Sequence, residues 1–383
     1  MSRFMLDRVP AITQADGALD QLGALAARLG DGAPVLLVAD PGLAAFGIVA
    51  RAEASLRAAG LRVLTFTDIK SDPLAAQVDA AADLARQGGA GVMVALGGGS
   101  AMDAGKAAAA VAPGAARTLH YALCANPLPA RKLARICVPT TSGTGSETTR
   151  TAIVTNDDGA KVWLWGDELK ADAVLLDPTL TVGLPPHLTA ATGIDALVHA
   201  VEACTNANAN PANDIYCHEA IRLVARHLPA ALDNPGDLAA RAGLQWAAAL
   251  GGIAIDNCGT AMAHNIGHAL ASLRPLHHGR AVGVAMLATL PWNLREDPDG
   301  RFAAVAALLG ERHASGLPNA YERLLRGAGV KVSLAGEGHD DITPERLAAQ
   351  MANPENAAMR QSNRRASSEA DLLDLARIVL GQV

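Results

Sequence analysis

The stretch AHNIGHALASLRPLHHG (263–279) holds four of the chain's eleven histidines: His264, His268, His277 and His278. His264 and His268 stand at i and i+4 among small apolar residues, so a helix presents both on one face. His278 follows beyond Pro275, on a turn or at the start of the next helix. Upstream, TGIDALVHAVEA places Asp195 and His199 at the same spacing inside another apolar helical pattern. Either pair alone reads equally well as a satisfied pair in a helical core. Burying an ionised carboxylate without a partner is very costly, however, and a divalent cation removes that cost. Neutral imidazoles and a carboxylate converging from separate segments are what a metal ion requires. The two helical pairs and the later histidine together predict a metal site drawn from Asp195, His199, His264, His268 and His278.

Two further stretches suit a phosphate-bearing ligand. GGGSAMDAGK (97–106) joins an apolar run to a helical one. Gly97, Gly98 and Gly99 allow the backbone to approach a ligand closely. Ser100 reads as the helix N-cap, with Asp103 three residues on in a capping-box position. The free amides and dipole of such a helix start attract a diphosphate, although a tight, well-capped turn would use the same residues. The motif is neither GxGxxG nor GxxxxGK[ST]. PTTSGTGSE (139–147) is a second loop of this kind, with hydroxyls on Thr140, Thr141, Ser142, Thr144 and Ser146 and no bulky side chain. Two such loops at neighbouring strand ends point to a ligand at the carboxyl edge of a sheet. Asp40 closes VLLVAD (35–40), where an acid accepts hydrogen bonds from an adenosine ribose or serves as a turn residue. Lys161, after the turn NDDGA, is a candidate cofactor contact; its spacing alone gives only an exposed lysine.

The elements that position these residues follow from hydrophobic period. Strands are predicted at 35–40, 61–66, 91–96, 135–139 and 173–177, alternating with helices near 47–59 and 77–87 and after the glycine run. This alternation predicts a mostly parallel sheet covered on both faces. It stops near residue 185. From Leu188 onward only helical patterns appear, broken at 206–211, 234–236, Pro291 and 297–300. The expectation is an α/β N-terminal domain over 1–185 and an all-α C-terminal domain over 186–383. The tail after Ala335, with GEGHDD and SNRRASSE, is more polar and reads as short surface helices.

Composition narrows the function classes. A chain of 383 residues exceeds the usual single-domain size. Half of it is hydrophobic but only 3% is aromatic, so the core must pack small and aliphatic side chains. A net charge of −6, a pI near 6.0 and the lack of a basic cluster with interleaved aromatics argue against a nucleic-acid partner. Cys124, Cys137, Cys204, Cys217 and Cys258 are scattered without CxxC spacing and read as buried thiols of a reducing cytoplasm. MSRFMLDRVP contains no hydrophobic region of a signal peptide. Apolar runs are interrupted before about 18 residues, so no membrane span is expected. A cytoplasmic location is the expectation.

Taken together, GGGSAMDAGK, PTTSGTGSE, LLDPTLT, LPPHLTAATGIDALVHAVEA and the histidine stretch resemble the iron-containing (group III) alcohol dehydrogenase family, in the family's order and over residues 35–290. The resemblance implies a dinucleotide-binding α/β domain and a helical domain of the dehydroquinate synthase-like fold, with metal and nicotinamide meeting in the cleft between them. Matched by motif, Asp195, His199, His264 and His278 are the metal ligands, and His268 is the histidine beside the metal that relays a proton. Gly97, Gly98, Gly99, Ser100 and Asp103 match the diphosphate loop; Thr140, Thr141 and Thr144 match the second nucleotide loop. Asp40 matches the ribose-binding acid, and Lys161 a lysine near the cofactor. The cofactors implied are NAD(H) and Fe(II), with Zn(II) an alternative that ligand softness does not separate. A homodimer formed through edge strands near the N-terminus is also implied. Asn265, Ala269, His277 and the pair Asp72 and Pro73 depart from the family's usual residues without altering the ligand spacing.

The implied chemistry is interconversion of a small alcohol and its aldehyde or ketone by hydride transfer. The main alternative is a metal- and NAD-dependent lyase of the dehydroquinate synthase type. That chemistry needs several Lys or Arg to grip an anionic substrate, and its carboxylate ligand is typically Glu; here it is Asp195, and no Lys or Arg occurs from 253 to 272. A maleylacetate reductase-like enzyme would work without metal. A non-catalytic nucleotide-binding module would not require the four ligands.

Overall fold

The computed structural model describes residues 4–336, 338, 339 and 341–381, and the chain divides into two compact units. Arg8–Gly183 forms the first; Leu184–Val383 forms the second, joined by the segment that ends at Asp7, whose amide donates to Asn257 Oδ1 at 2.8 Å. Glu337 and Asp340 of the polar GEGHDD tail lie outside the described residues.

The first unit runs β1 (Ala11–Gln14), α1 (Leu22–Gly30), β2 (Val35–Ala39), α2 (Ile48–Ala58), β3 (Val63–Phe66), α3 (Ala75–Gly88), β4 (Val92–Gly97), α4 (Gly99–Val111), β5 (Ala134–Pro139), β6 (Thr151–Thr155), β7 (Lys161–Trp165) and β8 (Ala173–Leu176). Six strands form one parallel sheet in the order β1-β8-β5-β4-β2-β3. The apolar runs of β2, β4 and β8 are buried from end to end, as central parallel strands must be. Strand β1 was absent from the sequence-based expectation. Its AITQ is short and mostly exposed at the sheet edge, so it carries no burial period to detect.

Beyond β2 the chain first adds β3 on one side and then crosses to place β4 on the other. The carboxyl ends of β2 and β4 therefore flank the switch point, where open α/β sheets bind ligands. Asp40 follows directly on β2 and Gly97 is the last residue of β4, and the Asp40 amide donates to Leu96 O at 3.1 Å.

Strands β6 and β7 form a separate antiparallel hairpin, which the sequence reading treated only as the turn before Lys161. Asn156 Oδ1 closes that turn by accepting from the amides of Asp158 and Ala160. The hairpin is anchored by Lys106, a fully buried side chain of α4. Its Nζ donates to Thr151 O at 2.6 Å, Ser146 O at 2.7 Å, Thr149 Oγ1 at 3.2 Å and Thr149 O at 3.3 Å.

The second unit contains α5 (Pro186–Thr205), α6 (Pro211–Asp233), α7 (Leu238–Cys258), α8 (Met262–Leu273), α9 (His278–Asn293), α10 (Arg301–Leu308), α11 (Leu317–Gly327), α12 (Pro344–Ala352), α13 (Ala357–Ser362) and α14 (Glu369–Val379). Helix α5 is buried all round from Thr189 to Thr205 and packs against α6, α7 and α9. A helix apolar on every side belongs in a core.

Three expectations need correction here. Helix α7 is long and apolar enough to cross a membrane by length and composition, contrary to the reading of interrupted runs; 67% of its apolar window is buried inside the protein. Helix α9 continues through Pro291 and ends two residues later, because a proline near a helix end disturbs few downstream bonds. Four cysteines are buried free thiols, but Cys124 is exposed, on a turn where it adopts a φ of 55°. The tail helices α12 and α14 also bury one face each, through Leu347 and Met351 and through Leu372, Leu375 and Ala376.

Candidate metal centre and nucleotide loops

Asp195, His199, His264 and His278 converge from three helices. Asp195 and His199 lie one turn apart on α5, His264 lies in the first turn of α8, and His278 is the first residue of α9. One ligand atom from each lies within 4.8 Å of all the others, the one such convergence of His, Cys, Asp or Glu among the described residues. Asp195 Oδ1 is 3.8 Å from His199 Nε2, 3.8 Å from His264 Nε2 and 3.5 Å from His278 Nε2. Ligand atoms at about 2.1 Å from a tetrahedral metal would stand about 3.4 Å apart, so these separations fit a cation at the centre.

The donor chemistry fits as well. Asp195 Oδ1 and His264 Nε2 are buried with no hydrogen-bond partner, a costly arrangement unless something else occupies them. Burial pushes the His264 imidazole down to about 3, reinforced by neighbouring His199, so His264 is neutral and able to offer a lone pair. The rings of His199 and His264 stack with centroids 4.6 Å apart. His278 is half-buried while the other three are buried, so the site opens on that side.

Close backbone approach makes this convergence possible. At Gly279, beside His278, a Cβ would lie 2.0 Å from Ala191 O and 3.2 Å from Asp195 Cβ. Only glycine lets α9 settle against α5 at that point.

The other histidines separate clearly. His268 is one turn beyond His264 and half-buried, with its ring centroid 6.2 Å from that of His264 and 5.3 Å from that of His278. It borders the four-residue group without belonging to it. His277 is exposed at the N-cap of α9, also outside the group. Sequence reading passed over Glu202, which is buried, accepts from the amides at the start of α8 and has Oε2 2.6 Å from His264 Nδ1. Burial pushes its carboxyl up to about 7, opposed by the Ala261 and Ala263 amides. The signal was available: Asp195, His199 and Glu202 fall at i, i+4 and i+7, a polar stripe on an otherwise apolar helix.

In the first unit the two predicted loops touch. Thr140 N donates to Gly97 O at 2.9 Å. Gly97 has a φ of +149°, and a Cβ there would lie 3.0 Å from Asp40 Cβ; one on Gly99 would lie 2.7 Å from Thr144 Cγ2. A Cβ on Gly98 would stand 3.4 Å from Thr141 Cγ2. The glycines thus let one loop pack on the other, in addition to any approach of a ligand.

The capping-box reading of Ser100 and Asp103 is not what forms. Gly98 is the N-cap, because its extended backbone lets α4 begin at Gly99. Ser100 Oγ instead accepts from Asp72 N at 3.2 Å. The Asp103 carboxylate accepts from Ser146 Oγ at 2.5 Å and from Ile153 N at 3.0 Å, tying the second loop and the hairpin to α4. Asp40 Oδ1 accepts from Gly42 N at 2.8 Å and so caps the turn after β2. Lys161 begins β7 and pairs with Asp72 Oδ1 at 2.7 Å; Asp72 itself has a φ of 57°.

Family models match both parts of the chain: iron-containing alcohol dehydrogenase over residues 10–178, and the Fe-containing alcohol dehydrogenase family C-terminal region over residues 189–379. The chain belongs to the iron-containing alcohol dehydrogenase family and is an oxidoreductase of that type. It is 35% identical over 341 residues to long-chain-alcohol dehydrogenase 1 of Geobacillus thermodenitrificans, covering 86% of each chain. It is 32% identical over 391 residues to the NAD-dependent methanol dehydrogenase of Bacillus methanolicus, covering 99% of this chain and 100% of the relative. Its fold matches the sulfoacetaldehyde reductase from Bifidobacterium kashiwanohense, solved in complex with NAD+, with a TM-score of 0.90 and 25% identity over 100% of both chains. These relatives favour the dehydrogenase reading over the lyase alternative.

Replacing Gly279 with alanine should force α9 from α5 and cost about 1–3 kcal/mol, the usual penalty of overpacking. Thermal unfolding of metal-loaded and metal-free protein checks this: the loss should be larger with metal, because His278 moves with α9. Equal losses in both forms would separate Gly279 from the metal centre.

Proposed function

We propose that this chain interconverts a small alcohol and its aldehyde or ketone, holding one divalent metal, iron by family, on Asp195, His199, His264 and His278, and NAD(H) on the loops of the first unit. The observation that carries this reading is the convergence of three imidazoles and a carboxylate around buried, unpartnered lone pairs. When bound, the metal supplies a Lewis acid for the substrate oxygen and the nicotinamide accepts or returns the hydride.

The protein's own groups supply the rest. Asp195 contributes one negative charge among three imidazoles, so the donor set neutralises only part of a dication. His264 is kept neutral by burial and offers Nε2. His268, at the open side near His278, is placed to hold or pass the proton that an alcohol gives up, at a ring nitrogen. Gly97, Gly98, Gly99 and Ser100 receive the diphosphate, and Thr140, Thr141 and Thr144 line the second wall. Asp103 acts as a brace between those walls, and Lys161 borders the site through its pairing with Asp72.

Metal content and turnover test the assignment together. Wild type loaded anaerobically with Fe(II) should carry one metal per chain and oxidise a primary alcohol with NAD+. His264→Ala should lose both metal and turnover, whereas His268→Ala should keep the metal and lose turnover with its pH dependence. Loss of metal from both variants alike would make His268 a ligand and overturn the relay role.

Asp40 favours NAD(H) over NADP(H). A ribose 2′-phosphate beside its carboxylate would bring like charges together; at about 4 Å and an effective dielectric near 20 they repel by about 4 kcal/mol before rearrangement. Asp40→Gly should raise the NADP-to-NAD ratio of kcat/KM at least tenfold, which needs only about 1.4 kcal/mol. An unchanged ratio would reduce Asp40 to the cap of its own turn.

The homodimer is supported by the place of β1 at the edge of the sheet and by exposed Phe4, Met5, Leu6 and Val9 just before it. An open strand edge is a ready pairing surface. Light scattering at micromolar concentration should give twice the chain mass; a monomeric mass would refute the dimer.

A further inference from the structure

Glu202 lies on α5, three residues after His199, and does not belong to the ligand set. It is nevertheless as buried as Asp195, His199 and His264, with 3% of its surface exposed. Both of its oxygens are engaged on α8 and the residue before it. Oε1 accepts from Ala263 N at 2.6 Å and from His264 N at 3.4 Å. Oε2 accepts from Ala261 N at 2.7 Å and stands 2.6 Å from His264 Nδ1.

These amides belong to the start of α8, where N–H groups have no intrahelical acceptor. Ala261 occupies the N-cap and has no side chain able to accept, so a carboxylate from another helix takes that role, with the helix dipole in its favour. The same carboxylate reads the ring. Both oxygens already accept from backbone amides, which favours the ionised form, and an ionised carboxylate is an acceptor only, so Nδ1 of His264 carries the proton and donates it. The lone pair is then left on Nε2, the atom 3.8 Å from Asp195 Oδ1 that has no protein partner.

We propose that Glu202 is the positioning residue of the metal centre: it selects the His264 tautomer whose Nε2 can bind a cation and fixes that ring by holding the helix start beneath it. The proposal rests on His264 being a ligand. Two contacts a helix cap alone would not need argue for it. One is the 2.6 Å contact to the ring, and the other is the spacing that puts Asp195, His199 and Glu202 on the same helix. Helix α5 thereby supplies two ligands directly and orients a third on α8. Carboxylate partners of this kind typically change metal affinity by 10–100-fold when lost.

Glu202→Gln keeps the shape but offers one acceptor oxygen and one donor NH2. With the oxygen on the Ala263 side, the NH2 faces the Ala261 amide and the ring, and it favours the tautomer protonated on Nε2. With the oxygen on the ring side, the NH2 opposes the Ala263 and His264 amides and displaces the start of α8. Either outcome weakens metal retention.

The experiment compares wild type, Glu202→Gln and His264→Ala, each loaded with Zn(II) and competed with a chromogenic chelator. Imidazole 15N spectra of the metal-free proteins accompany it. Wild type should show His264 protonated on Nδ1, and Glu202→Gln should bind Zn(II) about 10–100-fold more weakly with the helical circular dichroism retained. Unchanged Zn(II) affinity in Glu202→Gln, while His264→Ala loses the metal, would overturn this proposal and leave the ligand set intact. Retention of Zn(II) by His264→Ala would instead overturn the ligand set. Should Glu202→Gln not fold, the wild-type spectrum decides: His264 protonated on Nε2 overturns the proposal.

Discussion

Helix α5 has charged and imidazole side chains buried within an otherwise apolar helix, and much of the second unit is arranged to compensate for that. Asp195, His199 and Glu202 occupy one polar stripe and are all buried. A buried carboxylate without compensation costs several kcal/mol, more than most single contacts return. Two different solutions operate along one stripe. Glu202 is satisfied within the protein by backbone amides and the His264 ring. Asp195 is not: its Oδ1 faces three imidazole nitrogens and no hydrogen-bond donor. The contrast between a satisfied carboxylate and an unsatisfied one seven residues away marks the place whose donors fit a cation.

The first unit solves a related problem with protein groups alone. Two loops rich in glycine and hydroxyls are poor at holding their own shape. They are fixed from below by α4, whose Asp103 accepts from Ser146 and Ile153 and whose Lys106 donates into the second loop and the hairpin. The pair is itself within 3.6 Å, so the buried ammonium is not left uncompensated. Rigid, braced loops hold backbone amides and threonine hydroxyls in place in advance, which would lower the ordering cost of binding a ligand there.

Much of this was legible in the residues. The central strands are continuous apolar runs, and the i,i+4 pairs announced two of the three helices that carry the candidate ligands, because each pattern reflects a local period. What escaped detection depends on distant partners. Strand β1 is defined only by pairing with β8, far along the chain. Ser100 and Asp103 fit a local capping motif by spacing, but tertiary partners in Asp72, Ser146 and Ile153 claimed them instead. The role of Gly279 comes from the approach of α9 to the Ala191 carbonyl, which no local pattern records. Spacing alone left His268 among the candidate ligands; the family resemblance set it apart, and the three helices together leave it outside the four-residue group.

Three imidazoles and one carboxylate, with no thiolate, are proposed to bind the metal. X-ray absorption at the iron edge of the Fe(II)-loaded protein tests this ligand set directly. The expected result is a first shell of nitrogen and oxygen only, with the multiple-scattering signature of three imidazoles. A sulfur shell, which would place the metal among the buried cysteines, or a signal with fewer than three imidazoles, would contradict it.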